Sequence, residues 1–332
     1  MKNKTLNLLV TGGAGYIGAH FINQARLLDN VRIIVVDNFQ QTRKNIINDK
    51  KIIYYKVDLC DLKKLSRTFQ KDKIDLVVHF AALANVPESV ASPDKYYLNN
   101  ILGGLNLLDC MLKNQVKKII FSSSASVYGE PIKEIIKEDH PTIPTNPYGF
   151  TKLIFEKILK DYHRAYGINS ISLRYFCAAG CDESLIIGEY HQPETHVIPN
   201  IIFTLFGKRK EFYVYGDDYP TPDGTGIRDY IHVNDLSQAH LLAMDKLLRN
   251  DQRCEIYNLG INQGFSVMEL IKVAEKISGK KLNYKIKARR PGDPSRLIAD
   301  STKAQKEFNW QPKYNKIDRI ILTAYNFFKV KL

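Results

Sequence analysis

Short apolar runs alternate with longer amphipathic stretches through the first half of this 332-residue chain, and this alternation limits the possible folds more than any other feature. The runs are rich in β-branched residues and nearly continuous in apolar character, which is typical of strands buried on both faces. Such strands, when separated by helices, form a parallel sheet covered on both sides. The sequence therefore predicts an α/β fold with a doubly wound, Rossmann-like parallel sheet.

The elements follow from these patterns. Strands are expected at Leu6–Thr11, Val31–Val36, Ile52–Lys56, Asp75–His79, Lys117–Ser122, Asn169–Arg174 and Glu255–Leu259. Helices are expected at Gly15–Asp29, Leu62–Lys71, Tyr96–Asn114, Tyr148–Tyr166, Val197–Gly207, Asp235–Leu248, Val267–Ser278 and Ile317–Val330.

The alternation of apolar runs and amphipathic stretches ends after Arg174, and residues 177–223 are rich in Gly, Pro, His and aromatic side chains. This change predicts a smaller C-terminal α/β lobe, built from 176–227 plus 261–332, beside a main lobe of 1–175 plus 228–260. Ligands of open α/β sheets bind at the carboxyl ends of the strands. We therefore expect the site in the cleft between the two lobes.

Charge and cysteine usage narrow the possible partners. The net charge is +13, but the densest basic clusters, Lys208–Lys210 and Lys280–Lys281, are short and predict solvated surface rather than a nucleic-acid footprint. The five cysteines contain no C-x-x-C pair, so neither a disulfide framework nor a zinc site is indicated. Without a signal segment or an apolar run of membrane length, we expect a cytoplasmic protein that is not bound to a membrane.

A glycine-rich turn follows the first strand directly. Gly12, Gly15 and Gly18 have the spacing G-x-x-G-x-x-G and lead into a helix, whose N-terminus favours a pyrophosphate. Alone, such a turn is as compatible with an ordinary tight βα connection. Asp37, however, ends the second strand about twenty residues later, where a carboxylate accepts ribose hydroxyls and repels a ribose phosphate. The combination predicts NAD rather than NADP.

Three further residues form a candidate catalytic set. Tyr148 and Lys152 are four residues apart on one face of a predicted helix, and an ammonium beside a phenol would lower its pKa toward that of a useful base. Ser124 follows the fifth strand at the carboxyl edge of the sheet. Each has an ordinary alternative, as a surface pair or as a turn-forming serine. Their order along the chain favours the catalytic interpretation.

The sequence resembles the extended short-chain dehydrogenase/reductase family and, within it, the UDP-glucose 4-epimerase family, over nearly the whole chain. The segments that carry the resemblance are Val36–Asn38, His79–Ala82, Phe121–Gly129, Pro147–Lys152, Arg174–Phe176 and, most specifically, Tyr215–Val233. Related dehydratases and decarboxylases place carboxylates just after the active-site hydroxyl. Here Ala125 and Ser126 occupy those positions.

This resemblance implies reversible epimerisation at carbon 4 of a UDP-hexose, either UDP-glucose/UDP-galactose or also the N-acetylated pair, by a homodimer with tightly bound NAD. Tyr148 would take the proton of the 4-hydroxyl while hydride passes to NAD, Lys152 would assist, and Ser124 would bridge hydroxyl and phenol. A 4-keto sugar would then turn and be reduced on its other face.

The resemblance also assigns contacts position by position. Cofactor contacts fall on Gly12, Gly15, Tyr16, Ile17, Gly18, Asp37, Asn38, Phe39, Gln40, Gln41, Thr42, Asp58, Leu59, Phe80, Ala81, Ala82, Leu83, Ala84, Asn99, Ser122, Tyr148, Lys152 and Phe176. Substrate contacts fall on Ser124, Tyr148, His196, Val197, Tyr213, Tyr215, Arg228, Arg290, Asp293 and Leu297. Arginine suits a diphosphate because its planar fork binds two oxygens at once.

Three positions depart from the family pattern. Ala84 stands where many relatives have a lysine near the cofactor phosphates, and Cys177 replaces an asparagine that would bind the ligand. Leu297 stands where some relatives have a tyrosine beside the sugar's 2-substituent, and the shorter leucine leaves room for an N-acetyl group. Two other functions stay open: 4-epimerisation of a UDP-pentose or UDP-uronic acid, and non-catalytic NAD binding in a regulator.

Overall fold

The computed structural model of this chain describes residues 5–41, 46–191, 193–249, 253–290 and 292–332. Its strands are β1 (Leu6–Thr11), β2 (Val31–Asp37), β3 (Ile52–Lys56), β4 (Leu76–His79), β5 (Lys118–Ser124), β6 (Asn169–Tyr175), β7 (Cys177–Ala179), β8 (Phe212–Tyr215), β9 (Ile227–His232), β10 (Cys254–Leu259), β11 (Gly264–Ser266), β12 (Tyr284–Lys287) and β13 (Arg296–Leu297). Its α-helices are α1 (Tyr16–Ala25), α2 (Leu62–Lys71), α3 (Val86–Ala91), α4 (Pro93–Tyr96), α5 (Gly103–Lys113), α6 (Pro147–Tyr166), α7 (Val197–Leu205), α8 (Val233–Arg249), α9 (Val267–Ser278), α10 (Thr302–Phe308) and α11 (Ile317–Lys331).

The main sheet has, within the described ranges, seven parallel strands in the order β10-β6-β5-β4-β1-β2-β3. Its central strands are apolar on both faces, because helices cover both sides. One face packs against α1 and α8, and the other against α2, α5 and α6. The strand order reverses between β1 and β4, and the carboxyl ends of these two strands open a crevice there. The predicted doubly wound fold is confirmed.

The smaller lobe has its own sheets and core. Strand β9 pairs with β7, β11 and β13, while β8 and β12 form a separate parallel pair. Helices α7, α9 and α11 pack together over a core that includes Ile201, Leu270 and Phe327. Strand β9 therefore belongs to the second sheet, although the predicted boundary at residue 228 assigns it to the main lobe.

Local sequence signals explain where several helices begin and end. Asn146 caps α6 by accepting a hydrogen bond from the Gly149 N–H (2.9 Å), and Pro147 follows at the first helical position. Gly167 ends the same helix with φ +66°, in the left-handed region that glycine tolerates. Ser266 and Glu269 form a capping box at the start of α9.

The helix predicted over Tyr96–Asn114 is present, but it contains a turn of a different kind that the sequence did not predict. The structure is helical from Pro93 to Lys113, with a π-helical stretch at Tyr97–Leu102 between α4 and α5. The buried amide of Asn100 explains the wide turn: it accepts from the Leu83 N–H (2.8 Å) and donates to the Leu83 carbonyl (3.0 Å) and the Thr151 hydroxyl (2.9 Å). This local distortion places the neighbouring Asn99 at the cleft.

In the part of the chain that the structure describes, each helix is too short or too polar to span a bilayer.

Candidate active site

The glycine-rich turn after β1 is packed too closely for side chains. Gly12 has φ +70°, and a Cβ atom there would lie 2.5 Å from the Ala81 nitrogen. A Cβ on Gly18, in the first turn of α1, would lie 2.4 Å from the Gly12 carbonyl oxygen. Gly15 faces the crevice, and its Cβ would meet only that same oxygen, at 3.2 Å. The turn thus presents bare backbone at a helix N-terminus, which fits a pyrophosphate.

Asp37 is held in place at the end of β2. One carboxylate oxygen accepts the Phe39 N–H (2.8 Å) and the other accepts the Ala14 N–H (3.0 Å). Burial raises the pKa of Asp37, while these two backbone hydrogen bonds lower it. The carboxylate lines the crevice beside the glycine turn, where it can accept hydrogen bonds from ribose hydroxyls.

Tyr148, Lys152 and Ser124 come together at the carboxyl edge of the main sheet, and all three line the crevice. The Lys152 ammonium donates to the Ser122 carbonyl (2.7 Å) and lies 5.8 Å from the centre of the Tyr148 ring. Ser124, the last residue of β5, accepts a hydrogen bond from the Ser126 N–H (3.1 Å). The rigid strand and the capped start of α6 fix these side chains relative to one another.

Burial is the largest influence on the pKa values of Tyr148 and Lys152. Burial raises the pKa of Tyr148, and only its hydrogen bond with Ser124 acts in the opposite direction. Burial also lowers the pKa of Lys152 to about 7, although the Glu156 carboxylate partly restores it. In this structure burial and Ser124 set the direction of the Tyr148 pKa, and the role of Lys152 in lowering that pKa stays a prediction.

A buried charge network supports the catalytic set from behind. Arg174 donates to both oxygens of Glu156 (2.9 and 2.6 Å), and the Ser123 hydroxyl donates to the same carboxylate (2.5 Å). All three side chains are buried, so each charge has its partner inside the fold. The network fixes the Glu156 carboxylate one helical turn beyond Lys152.

Two adjoining cavities, of about 540 and 410 Å³, contain nearly all the predicted contacts. The first is lined by Gly12, Gly15, Tyr16, Ile17, Gly18, Asp37, Asn38, Gln40, Gln41, Asp58, Leu59, Phe80, Ala81, Ala82, Leu83, Ala84, Asn99, Ser122, Tyr148, Lys152 and Phe176. The second is lined by Tyr213, Tyr215, Arg228, Arg290, Asp293 and Leu297. The residues Ser124, Phe176, His196 and Val197 line both, so the two cavities meet at the catalytic set.

Among the described residues, one predicted cofactor contact is not brought to these cavities. Phe39 does not line either one, and its ring lies 6.4 Å from that of Tyr54, centre to centre. Thr42 lies outside the described residues.

The second cavity is shaped by paired side chains. Arg228 donates to Asp293 and to the Pro294 carbonyl (2.7 Å), so its guanidinium is oriented by the loop after residue 290. The guanidinium of Arg290 lies 3.9 Å from the centre of the Tyr215 ring. Two arginines and an aromatic face form a site for an anionic group attached to a flat ring.

The departures from the family pattern also lie at these walls. Cys177 lines both cavities, and burial raises the pKa of its thiol to about 12, so it stays neutral. Leu297 is buried in the wall of the second cavity. Ala84 lines both cavities and brings no charge to them.

Several lining residues escaped the sequence analysis. Tyr175 shares a hydrogen bond with Ser122 beside the catalytic set, and Tyr96 lines the first cavity from the distorted helical segment. In the sequence each of these tyrosines is an aromatic residue in an apolar stretch. Such a pattern is as typical of the hydrophobic core as of a cavity wall. Glu189 and Glu194 lie next to His196: burial alone would lower the pKa of His196, but these carboxylates outweigh it and raise the pKa to about 10.

Together, the Rossmann-type sheet, the glycine turn and the Ser124, Tyr148 and Lys152 set define an extended short-chain dehydrogenase/reductase. Residues 9–321 match the family model described as GDP-mannose 4,6-dehydratase. A UDP-glucose 4-epimerase from Halalkalibacterium halodurans is 46% identical over 322 residues, which cover 97% of this chain and 95% of that protein. The chain belongs to the UDP-glucose 4-epimerase family.

Solved structures agree with this membership. The chain is similar to UDP-glucose 4-epimerase from Bifidobacterium longum in complex with NAD⁺ and UDP, with a TM-score of 0.92, 42% identity and 98% of each chain covered. It is also similar to the UDP-Glc/GlcNAc 4-epimerase from Campylobacter jejuni, with a TM-score of 0.84 and 39% identity over 98% of this chain and 99% of that one.

Proposed function

We propose that this protein interconverts UDP-hexoses that differ in configuration at carbon 4, with NAD as a tightly held cofactor. The observation that carries the proposal is the junction of the two cavities at Ser124: the cavity with the glycine turn and Asp37 also contains Tyr148, and the arginine-lined cavity adjoins it. Family membership supports the same chemistry, since the similar solved structures include an epimerase complex with NAD⁺ and UDP.

The first cavity fits NAD on the chain's own features. Gly15 leaves the space beside the α1 N-terminus open, and Asp37 presents a carboxylate that is already oriented by backbone N–H groups. We propose that the predicted cofactor contacts lining this cavity hold the dinucleotide, with Lys152 near its ribose. When bound, NAD supplies a reversible hydride acceptor.

The chain's part in catalysis is to move one proton and orient the sugar. Tyr148 in its phenolate form would accept the proton of the 4-hydroxyl, and Ser124, which is hydrogen-bonded to it, would carry the proton between sugar and phenol. Burial opposes formation of the phenolate, so a cation must offset this cost. Lys152 is the chain's own candidate, and it is effective in its charged form.

The absence of an acid beside Ser124 separates this site from dehydratases and decarboxylases. Ala125 is buried, and the N–H of Ser126 is engaged with the Ser124 hydroxyl. A 4-keto sugar formed here meets no carboxylate at these two positions that could remove or add a further proton. Hydride return to the other face of the sugar is then the available outcome.

The wall of the second cavity favours a broad choice of hexose. Leu297 and Cys177 are both compact and neutral, so we propose that the N-acetylated pair is accepted along with UDP-glucose and UDP-galactose. The similarity to the UDP-Glc/GlcNAc 4-epimerase from Campylobacter jejuni supports this range. We propose that Arg228 and Arg290 bind the diphosphate, with His196, Val197, Tyr213, Tyr215 and Asp293 around the nucleotide.

Assembly and location are also proposed. The segment 93–113 and α6 together expose Tyr97, Leu98, Leu102 and Phe150, an apolar face through which two chains would form a homodimer. All five cysteines are free, which supports a reducing, cytoplasmic location. We propose that the chain forms the two predicted lobes, with one change. Strand β9 belongs to the substrate lobe, so the second part of the main lobe begins at α8 and not at residue 228.

The test is turnover of UDP-galactose, UDP-N-acetylgalactosamine and UDP-arabinose by the purified protein and by Tyr148→Phe. We expect both UDP-hexoses to be converted, and Tyr148→Phe to lower the rate by about 100- to 10,000-fold because it removes the proton acceptor. The variant should still retain NAD, measured by mass spectrometry of the released small molecules. Absence of UDP-hexose turnover in the wild-type protein, or unchanged turnover in Tyr148→Phe, would contradict the proposal.

A further inference from the structure

A group of metal-binding side chains lies beside the two cavities, on the segment between β7 and α7. Glu189, His191, Glu194 and His196 each direct one ligand atom inward, and these four atoms all lie within 4.8 Å of one another. We call these four residues the His/Glu cluster. They occupy only eight positions of the chain, in the pattern E-x-H-x-x-E-x-H, so one short segment brings them together.

The spacing within the His/Glu cluster suits a single metal ion. The His196 Nδ1 atom lies 2.8 Å from Glu194 Oε1 and 3.0 Å from Glu189 Oε1. The His191 Nδ1 atom lies 3.6 Å from Glu189 Oε1 and 3.5 Å from Glu194 Oε2. Tetrahedral zinc with bonds of about 2.0–2.2 Å places its ligand atoms about 3.3 Å apart. These distances involve both oxygens of Glu194; with one ligand atom from each residue, the four atoms lie within 4.8 Å of one another, so modest shifts would bring them around one ion.

Unsatisfied polar atoms are an independent sign of a missing cation. The side chain of Glu194 is only 3% exposed, yet its Oε2 atom has no hydrogen-bond partner. The His191 Nδ1 atom has none either, and the two atoms contact each other only as a long ion pair, at 3.5 Å. Buried polar atoms of this kind are rare in native structures, because the lost hydration is not replaced. An ion between them would satisfy both.

A second group of similar composition differs from the His/Glu cluster in its hydrogen bonds. His20, Cys181 and Asp182 are buried close together, but their polar atoms are engaged. One ring nitrogen of His20 bonds to the Tyr16 carbonyl (2.8 Å) and the other accepts the Asp182 N–H (3.3 Å). The Cys181 thiol donates to the Ile187 carbonyl (2.8 Å). This group has its hydrogen bonds within the protein, whereas in the His/Glu cluster the Glu194 Oε2 and His191 Nδ1 atoms lack one.

We propose that Glu189, His191, Glu194 and His196 bind one Zn²⁺ ion. Two imidazole nitrogens and two carboxylate oxygens are ligands that zinc accepts in a closed, four-coordinate site. The two carboxylates balance the charge of the ion. They also attract a proton to His196, which the metal displaces on binding.

The ion would stabilise the wall that the two cavities share. Glu189, His191, Thr195 and His196 line the first cavity, and α7 begins at the next residue, Val197. A closed zinc site ties both ends of this segment together without any contribution from the main sheet. The proposed role is structural: the ion fixes the position of the substrate wall, and it takes no part in hydride or proton transfer.

The test is zinc binding by the full-length protein with its bound NAD, free of any histidine tag and treated with a chelator beforehand. Titration with ZnCl₂ against a chromophoric zinc chelator should give one saturable ion per chain. Replacement by Co²⁺ should give the visible absorption of a four-coordinate site. Glu194→Gln and His191→Gln should each weaken zinc binding by at least about tenfold, since even outer-shell changes cost 10- to 100-fold.

His163→Gln is the matched control. Its ring bonds to the Ile168 carbonyl (3.0 Å) at the far end of α6, so this variant should bind zinc as the wild type does. Circular dichroism and NAD content identify variants that have lost their fold, and Glu189→Gln then replaces the failed variant. Absence of saturable binding near one ion per chain, or equal affinity in the wild type and the cluster variants, would overturn the proposal. Because the measurement is metal binding, its outcome is independent of epimerase turnover.

Discussion

The two halves of the joint cavity are built in different ways. The half proposed for the cofactor is formed by bare backbone at Gly12–Gly18 and by Asp37, which backbone N–H groups hold in place. The half proposed for the sugar nucleotide is formed by side chains from distant segments, such as Arg228 and Asp293, which are joined by an ion pair. The cofactor half depends on the absence of side chains at the glycine turn. The sugar-nucleotide half depends on pairs of oppositely charged side chains.

This difference predicts different sensitivities. A backbone-lined surface should tolerate almost no added atom, whereas a surface of paired side chains should tolerate added methyl groups but lose affinity when a charge is removed. Three experiments test this contrast, beginning with the largest expected effect.

Gly18→Ala should have the largest effect. The new methyl group would lie 2.4 Å from the Gly12 carbonyl oxygen, and that backbone cannot move without distorting the turn. Overpacking costs about 1–3 kcal/mol, and we expect the upper end, about a 100-fold loss of NAD affinity. Gly226→Ala is the control in the other half, because its methyl group would meet its nearest atom at 3.5 Å. Calorimetric titration with NAD measures both, and equal losses would break the comparison.

Arg228→Gln should have the next largest effect, and on the other ligand. Hydrogen bonds to charged groups contribute about 1.5–3 kcal/mol, so the affinity for a UDP-sugar should fall by about 30-fold. NAD affinity should be unchanged. Arg289→Gln is the control, since Arg289 is exposed and pairs with Asp218 at the surface. A parallel loss of NAD affinity in Arg228→Gln would show that the two halves are not separate.

The smallest effect is a pH dependence that belongs to the cofactor half alone. Burial lowers the pKa of Lys152 to about 7, whereas the unfolded chain keeps this proton up to about pH 10.5. Between these values Lys152 binds more protons in the unfolded state, so it makes the free energy of unfolding rise with pH, by at most about 1.4 kcal/mol per unit. His196, whose pKa is raised to about 10, acts in the opposite direction over the same range, so the test is a difference between variants. Urea unfolding at pH 7 and pH 9 should give the same slope in the wild type and in Arg228→Gln, and a slope that is lower by the Lys152 contribution in Lys152→Met. An unchanged slope in Lys152→Met would refute the assignment.

The sequence predicted the main lobe well because its signals are local. The apolar run Leu6–Thr11 and the glycines after it fix a strand and a turn without help from distant residues, and both agree with the structure. The extra strands of the smaller lobe were not predicted, since β7 and β13 have three and two residues. Their pairing with β9 joins segments far apart in the chain. Pattern analysis of single segments contains no information about such pairing.

The candidate site also has some features that local sequence signals predict and others that depend on the whole fold. Tyr148 and Lys152 were identifiable because their spacing on one helix has a chemical reason, and the structure places both at the crevice. The rise in the pKa of Tyr148 was not predictable, because it comes from burial by the whole fold. The His/Glu cluster has a sequence signal, E-x-H-x-x-E-x-H, but the prediction of no metal site relied on cysteine spacing and did not consider it.

The short connections between the lobes have a mechanical consequence. One residue, Phe176, separates β6 from β7, and β9 continues directly into α8, which packs on α1. A third connection, from β10 to β11, is also short, and α10 returns to pack on α8 and β10 before α11 joins the smaller lobe. Because the chain passes between the two lobes at several separate places, we expect any opening of the lobes to strain several connections at once. A sugar that presents its opposite face to the cofactor would then turn within a cavity whose walls keep their spacing.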